Sequence, residues 1–231
     1  MIWIIIPTLN EERALPATLK ALLGQSGDYR VIIVDGGSTD LTRDIASNHP
    51  GITFLTARKG RASQMNAGAE YAWDRKQSPN DWLLFLHADT ILPSNAMREL
   101  QGLHTQSACQ AGGFTHQFSG NDWRLRLISW LDNFRCTRSK IIYGDQALFV
   151  RQGLFKQIGG FPQQPMLEDV AFGDKLLEHT VPQLLPSRVV TDARKFLHMG
   201  VWKSLTRVFL IILHVEYGLP TLTPAFFQDV R

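Results

Sequence analysis

The residues of this chain with the spacing for chemistry are carboxylates that stand just after apolar runs. Asp35 follows Val31-Ile32-Ile33-Val34 and opens the segment Asp35-Gly36-Gly37-Ser38-Thr39-Asp40. A carboxylate followed by glycines and hydroxyls offers an acceptor for a base or a ribose, although an ordinary capped turn has the same composition. Asp89 lies in Phe85-Leu86-His87-Ala88-Asp89-Thr90, where a carboxylate within reach of solvent suits a hard cation, Mg2+ or Mn2+, bridging to phosphate oxygens. His87 beside it leans slightly towards Mn2+, the better acceptor of nitrogen; taken alone, the triplet reads more readily as a surface turn. Glu168 and Asp169 come after the Gly159-Gly160-Phe161 turn and head a predicted helix. A carboxylate there can take a proton from a hydroxyl, or can simply suit a helix N-terminus.

These side chains need a scaffold, and the first half of the chain supplies a regular one. Ile2–Ile6, Val31–Val34, Ile52–Leu55 and Trp82–Leu86 are short continuous apolar runs, which predicts strands. Glu11–Gln25, Thr39–Asn48 and Arg61–Asp74 have helical spacing, the second with Ser38 ahead of it as a cap. The alternation predicts an α/β fold with a mostly parallel sheet covered by helices on both faces and a ligand site at the carboxyl ends of the strands. Chemistry is therefore expected just after Ile6, Val34 and Leu86. Gly112–Phe118 and Gln146–Arg151 read as further strands, and Trp123–Arg138, Glu168–Glu178 and Ala193–Val215 as helices interrupted by Gly and Pro. No repeat or low-complexity linker divides the chain, which predicts one domain.

Composition excludes several classes. The chain has 231 residues, 44% hydrophobic and 19% charged, which is the profile of a globular domain rather than a fibrous or disordered one. Its net charge of +3 is too small to argue for nucleic-acid binding. Cys109 and Cys136 have no CxxC spacing, which predicts reduced, packed thiols and a cytoplasmic protein. Met1-Ile2-Trp3 begins without the basic region of a secretory signal, and the longest later apolar run, Val208–Leu213, stops at His214. That is far short of the roughly 18–20 residues needed to span a bilayer. Neither Pro7-Thr8-Leu9-Asn10-Glu11-Glu12 nor the Asp35 segment contains GxGxxG, so a dinucleotide fingerprint is not supported.

In their order, Pro7–Glu12, Asp35–Asp40, Lys59–Gly68, Phe85–Thr90 and Leu167–Asp169 resemble the motifs of family 2 glycosyltransferases with the GT-A nucleotide-sugar fold. The resemblance covers about residues 2–195 and is strongest to small stand-alone bacterial members whose metal motif reads His-Ala-Asp. It implies one GT-A domain over 1–231: a nucleotide-sugar-binding half to about residue 110, an acceptor-binding and catalytic half to about 200, and a C-terminal helical extension over 201–231.

The resemblance also implies roles. Thr8, Asn10, Glu11 and Asp35 would meet the nucleoside, and Lys59 and Arg61 would lie along the diphosphate, although these two also suit a solvated helix start. Asp89 would hold the metal, Mn2+ or Mg2+. His87 departs from the family pattern at the first aspartate of the DxD motif, and a neutral imidazole cannot supply the missing charge. Asp169 would be the base of an inverting transfer, with Glu168 orienting the acceptor or a cation. Arg194 would neutralise the leaving group and His198 complete the metal shell, while Asp145 and Gln146 would line the acceptor side. Asn66 and Gly68 read as structural.

The expected partners are a nucleotide diphosphate sugar donor and a sugar or lipid-linked acceptor. Trp202–Tyr217 and Trp123–Lys140 each read as a core helix or as an amphipathic helix on a membrane, which would put the protein at the inner face of the cell membrane. A homodimer is compatible with the sequence. The rival readings are a sugar nucleotidyltransferase and a non-catalytic nucleotide-sugar-binding protein. The first is disfavoured by an acidic, glycine-free loop after strand one; the second is kept open by the His87 departure.

Overall fold

The computed structural model describes residues 1–105, 108–164, 167–206 and 209–210. Its strands are β1 (Ile2–Thr8), β2 (Tyr29–Asp35), β3 (Ile52–Thr56), β4 (Trp82–Phe85), β5 (Thr90–Ile91), β6 (Ala111–Phe118), β7 (Phe149–Arg151) and β8 (Gln183–Thr191). Its helices are α1 (Leu15–Leu23), α2 (Thr42–Ser47), α3 (Arg61–Arg75), α4 (Ala96–Gly102), α5 (Trp123–Ser139), α6 (Gln152–Ile158), α7 (Glu168–Leu177) and α8 (Arg194–Met199).

β1 is buried along its whole length, and its unbroken apolar run has a direct cause in covered faces. Ile2, Ile4 and Ile6 pack with Leu15, Leu19 and Leu22 of α1, while Trp3 and Ile5 pack with Ala62, Met65, Ala69 and Ala72 of α3. A strand with helices on both sides needs no polar alternation. Gly68 lets α3 approach closely, because a Cβ there would lie 2.6 Å from Ile5 Cγ2. Asn66 has a structural part too, exchanging hydrogen bonds with the Phe161 backbone at 2.8 and 2.9 Å.

The single sheet runs β3-β2-β1-β4-β7-β6-β8-β5. The first four strands are parallel, as the alternation predicts. The second half is mixed: β7 is antiparallel to β4 and β6, β8 is parallel to β6, and β5 returns antiparallel to β8. β2 and β4 flank β1, so the chain's direction across the sheet reverses beside β1, and a crevice opens there at the carboxyl ends.

Several elements differ from the sequence reading. β8 is not foreseen, because Pro186 sits inside it and proline argues against a strand. It is accommodated by a register shift opposite Phe114/Thr115, where Thr115 Oγ1 donates to the carbonyls of Pro186 and Ser187, each at 3.0 Å. The strand expected from Gln146 begins only at Phe149, since Gly144–Gln146 wind into a 3-10 turn and Ala147 has φ 49°. α2 begins at Thr42 rather than behind Ser38; Asp40 Oδ1 accepts the Thr42 N–H at 3.0 Å. The helix expected over Ala193–Val215 is broken at Gly200, φ 90°, and resumes at 201–206. The remainder of the expected C-terminal extension, from residue 211, lies outside the described residues. Cys109 and Cys136 are free and buried.

Candidate active site

The loops after β1 and β2 are joined into one unit. Asn10, at φ 56°, donates its N–H to Ser38 Oγ at 2.9 Å, and its side-chain Oδ1 accepts from Thr39 N at 2.9 Å. Glu11 N donates to Thr42 Oγ1 at 2.8 Å. Asp35 is the hub: its carboxylate accepts from Thr8 Oγ1 at 3.2 Å, from Gly37 N at 2.9 Å, from Ser38 N at 2.8 Å and from Ser38 Oγ. With four donors and 4% exposure, it uses the acceptor capacity of a carboxylate on the protein's own loops.

Gln64 extends this clamp from α3. Its Nε2 donates to Thr8 O at 2.7 Å and Val34 O at 2.8 Å, holding together the carboxyl ends of β1 and β2. Sequence reasoning gave Gln64 no role; the available signal was its position one turn into the helix after Gly60, on the face that must meet the sheet.

A pocket opens where the sheet's direction reverses. It is lined by Thr8 and Glu11 of the first loop, Lys59, Arg61 and Gln64 around the start of α3, and His87 and Asp89 after β4. Two cations, two carboxylates and an imidazole thus share one crevice. Gly60, with φ 134°, makes the turn that admits α3. On its other side Asp89 borders a second hollow with Asp192 and Arg194. Asp192 N donates to Asp89 O at 2.9 Å, and Arg194 Nε is ion-paired with Asp192. The end of β8 therefore delivers Arg194 beside Asp89. His198 is exposed on α8 and lines neither hollow.

Gly144 links this pocket to α7. Its N–H donates to Asp169 Oδ2 at 2.9 Å, and a Cβ on it would lie 2.6 Å from His87 Nε2. Asp169 Oδ1 accepts from Val170 N at 2.9 Å. Burial holds the Asp169 carboxyl above the usual carboxylate range, opposed by the Gly144 N–H, the positive charge of Arg61 and the Val170 N–H. Glu168, beside it in the first turn, is buried.

Of the two residues expected on the acceptor side, Gln146 turns inward and Asp145 stays partly exposed. Gln146 is 1% exposed and its Oε1 caps the 144–146 turn by accepting Tyr143 N at 3.0 Å. Asp145 faces His116 of β6, Nε2 to Oδ2 3.8 Å, and the other ring nitrogen faces Asp132 of α5 at 3.7 Å. Burial, then the charge of Asp145, pushes the Asp132 carboxyl up to about 7, with Arg135 opposing. Among the described residues, the three metal-ligating side chains that come close enough to share an ion are His116, Asp132 and Asp145, not Asp89, His87 and His198.

The helix-covered sheet with its crevice at the β1/β4 reversal is shared with solved glycosyltransferases of the GT-A type. The mannosyltransferase PcManGT of Pyrobaculum calidifontis, solved with GDP-Man and Mn2+, matches at TM-score 0.67 and 18% identity, over 99% of this chain and 67% of that one. Staphylococcus aureus TarS 1–349, solved with UDP-GlcNAc, matches at TM-score 0.65 and 15% identity, over 99% of this chain and 70% of that one. Glycosyl transferase family 2 matches residues 3–161, and the chain belongs to that family. A PGL/p-HBAD biosynthesis glycosyltransferase of Mycobacterium bovis is 33% identical over 70% of this chain, and the match spans 63% of that relative's length. An uncharacterized glycosyltransferase of Mycobacterium tuberculosis is 37% identical over 76% of this chain and 81% of its own.

Proposed function

We propose that this enzyme transfers a sugar, with inversion, from a nucleoside diphosphate sugar to an acceptor hydroxyl deprotonated by Asp169. The observation that carries the reading is the position of Gly144, which lies against the His87 ring and donates its N–H to Asp169. Donor pocket and base are thereby one residue apart. Asp169 takes the acceptor proton as the acceptor oxygen forms its bond to the anomeric carbon, and the nucleoside diphosphate leaves with the electron pair of the broken bond. Lys59 and Arg61 balance the diphosphate from the α3 side and Arg194 from the β8 side. Thr8, Asn10 and Glu11 shape the nucleoside end, with Asp35 and Gln64 as positioning residues beneath them.

The donor set at this pocket fits a hard divalent cation, Mn2+ or Mg2+, held jointly with a diphosphate. Asp89 offers a carboxylate and His87 an imidazole on the same wall, and phosphate oxygens and water would complete the shell. Such an ion, when bound, supplies positive charge to the departing diphosphate. His198 is outside this group.

A lipid-linked acceptor is favoured by α5. Trp123, Leu127, Trp130, Leu131 and Phe134 are all exposed, and their spacing puts them on one stripe of that helix. The exposed Arg126 and Arg138 lie on the same side, a pattern that suits an anionic membrane surface. No helix among the described residues is long and apolar enough to cross a membrane, so the contact proposed is peripheral.

The test is transfer from a panel of nucleoside diphosphate sugars with Mn2+ to polyprenyl and sugar acceptors, with the anomeric configuration of the product read by NMR. Turnover lost in Asp89→Ala and Asp169→Asn supports the assignment; full activity in either overturns that residue's role, and a retained configuration overturns inversion. Metal-dependent nucleotide binding without turnover on any pair would favour the non-catalytic reading.

A further inference from the structure

We infer that His116, Asp132 and Asp145 form a second divalent-cation site, of the class that binds imidazole and carboxylate together, Zn2+ ahead of Mg2+. It lies on the acceptor half of the fold, and its ligands come from β6, α5 and the 144–146 turn, none of which carries Asp89.

The central observation is a buried imidazole without a hydrogen-bond partner. The His116 side chain is 0% exposed, and neither Nδ1 nor Nε2 has a hydrogen-bond partner. Buried polar atoms are nearly always satisfied, and an orphaned one needs an explanation. The flanking carboxylates do not provide it, since 3.7 and 3.8 Å exceed the roughly 3.2 Å limit of an N–H···O bond. An ion takes only one of the two ring nitrogens, so only one of these gaps can lie between two of its ligands, which sit roughly 3.0–3.5 Å apart for bonds of about 2.1 Å. One ring nitrogen and one oxygen of each carboxylate lie within 4.8 Å of one another.

Charge points the same way. Two carboxylates converge here, and Arg135 reaches only Asp132, Nη2 to Oδ1 3.5 Å, while its guanidinium lies 3.4 Å over the Tyr143 ring. Among the described residues Asp145 has the His116 ring as its ion-pair partner. One imidazole with two carboxylates is a borderline donor set, which favours Zn2+ over Mg2+ or Ca2+.

The ligands are also held in place. Asn133, next to Asp132, accepts His116 N at 2.8 Å and donates to His116 O at 2.9 Å. Phe118 packs edge-on against the imidazole, centroids 4.6 Å apart. An ion here would tie the 144–146 turn to the sheet, one residue from the Gly144 N–H that Asp169 accepts.

The inference goes beyond the proposed transfer reaction and does not depend on it. Full-length protein is stripped with chelator and titrated with Zn2+ alone, without nucleotide, and bound metal is counted after gel filtration. Wild type and Asp89→Asn are expected to bind about one equivalent, and His116→Gln and Asp145→Asn to bind it about tenfold or more weakly. Asp145 is partly exposed, so Asp145→Asn keeps the test valid if the buried His116→Gln change prevents folding; far-UV circular dichroism reports which chains are folded. No saturable Zn2+ in folded wild type, undiminished binding in Asp145→Asn, or loss in Asp89→Asn alone would each overturn the site. None of these readouts uses transfer activity, so failure of the proposed reaction leaves them standing.

Discussion

The backbone N–H of Gly144 is bonded to Asp169 Oδ2 at 2.9 Å, and the His87 ring lies against the same glycine with no room for a side chain. Gly144→Ala puts a Cβ 2.6 Å from His87 Nε2, so either the ring or the turn must move. A misplacement of about 1 Å near a reacting centre costs about a hundredfold in rate. We expect kcat to fall by about that factor with the far-UV circular dichroism unchanged; steady-state kinetics on the best donor checks it.

Asp169→Asn should lower kcat by about 10²–10⁴-fold, the usual contribution of a general base, and leave nucleoside diphosphate affinity by calorimetry within a few-fold. Because burial raises the Asp169 carboxyl and the base must be ionised, the acidic limb of the kcat–pH profile of the wild type should lie above the ordinary carboxylate range. An acidic limb at the ordinary aspartate value of about 3.9 would count against Asp169 as the base.

The same shift has a stability consequence of definite sign. A carboxyl whose folded-state value is raised contributes stability that is complete below its unfolded value and is lost as pH rises through the folded value. Asp169→Asn should therefore have a higher Tm than wild type at neutral pH, and the difference should vanish in acid. Thermal melts across pH measure this directly.

Mn2+ and nucleotide should bind as a pair at Asp89. One carboxylate with one imidazole is a thin shell without phosphate oxygens, so saturable Mn2+ binding at this pocket should require a nucleoside diphosphate. Asp89→Ala should abolish the Mn2+-dependent part of the nucleotide affinity, read by calorimetry with and without the metal.

Gln64→Ala removes the donor that Thr8 O and Val34 O share. Loss of that buried bonding should cost about 1–3 kcal/mol in urea denaturation and weaken donor binding, since both loops hang from these strand ends.

The stripe on α5 predicts salt-sensitive binding to anionic vesicles. Trp130 and Phe134 stack with centroids 5.6 Å apart; replacing both by Glu should abolish cosedimentation with phosphatidylglycerol vesicles. Unchanged vesicle binding in the double variant would remove α5 from the membrane contact.

Much of this protein was legible in its residues alone. The continuous runs Ile2–Ile6, Val31–Val34 and Trp82–Leu86 announce a sheet covered on both faces, because burial on both sides removes polar alternation. Each run ends at a motif, so the pocket with Thr8, Glu11, Lys59, Arg61, His87 and Asp89 could be anticipated from local order. Tertiary structure decided what depends on partners distant in the chain. Thr8 of β1 brings its hydroxyl to Asp35 at the end of β2, and Gln64 of α3 reaches the carbonyls of Thr8 and Val34. β8 exists despite Pro186 because a bulge opposite Thr115 absorbs the proline. His116 and Asp132, unremarkable in sequence, meet Asp145 only when α5 packs across β6. Side-chain type and local period are written in the sequence; which donors face a given carboxylate is set by long-range packing.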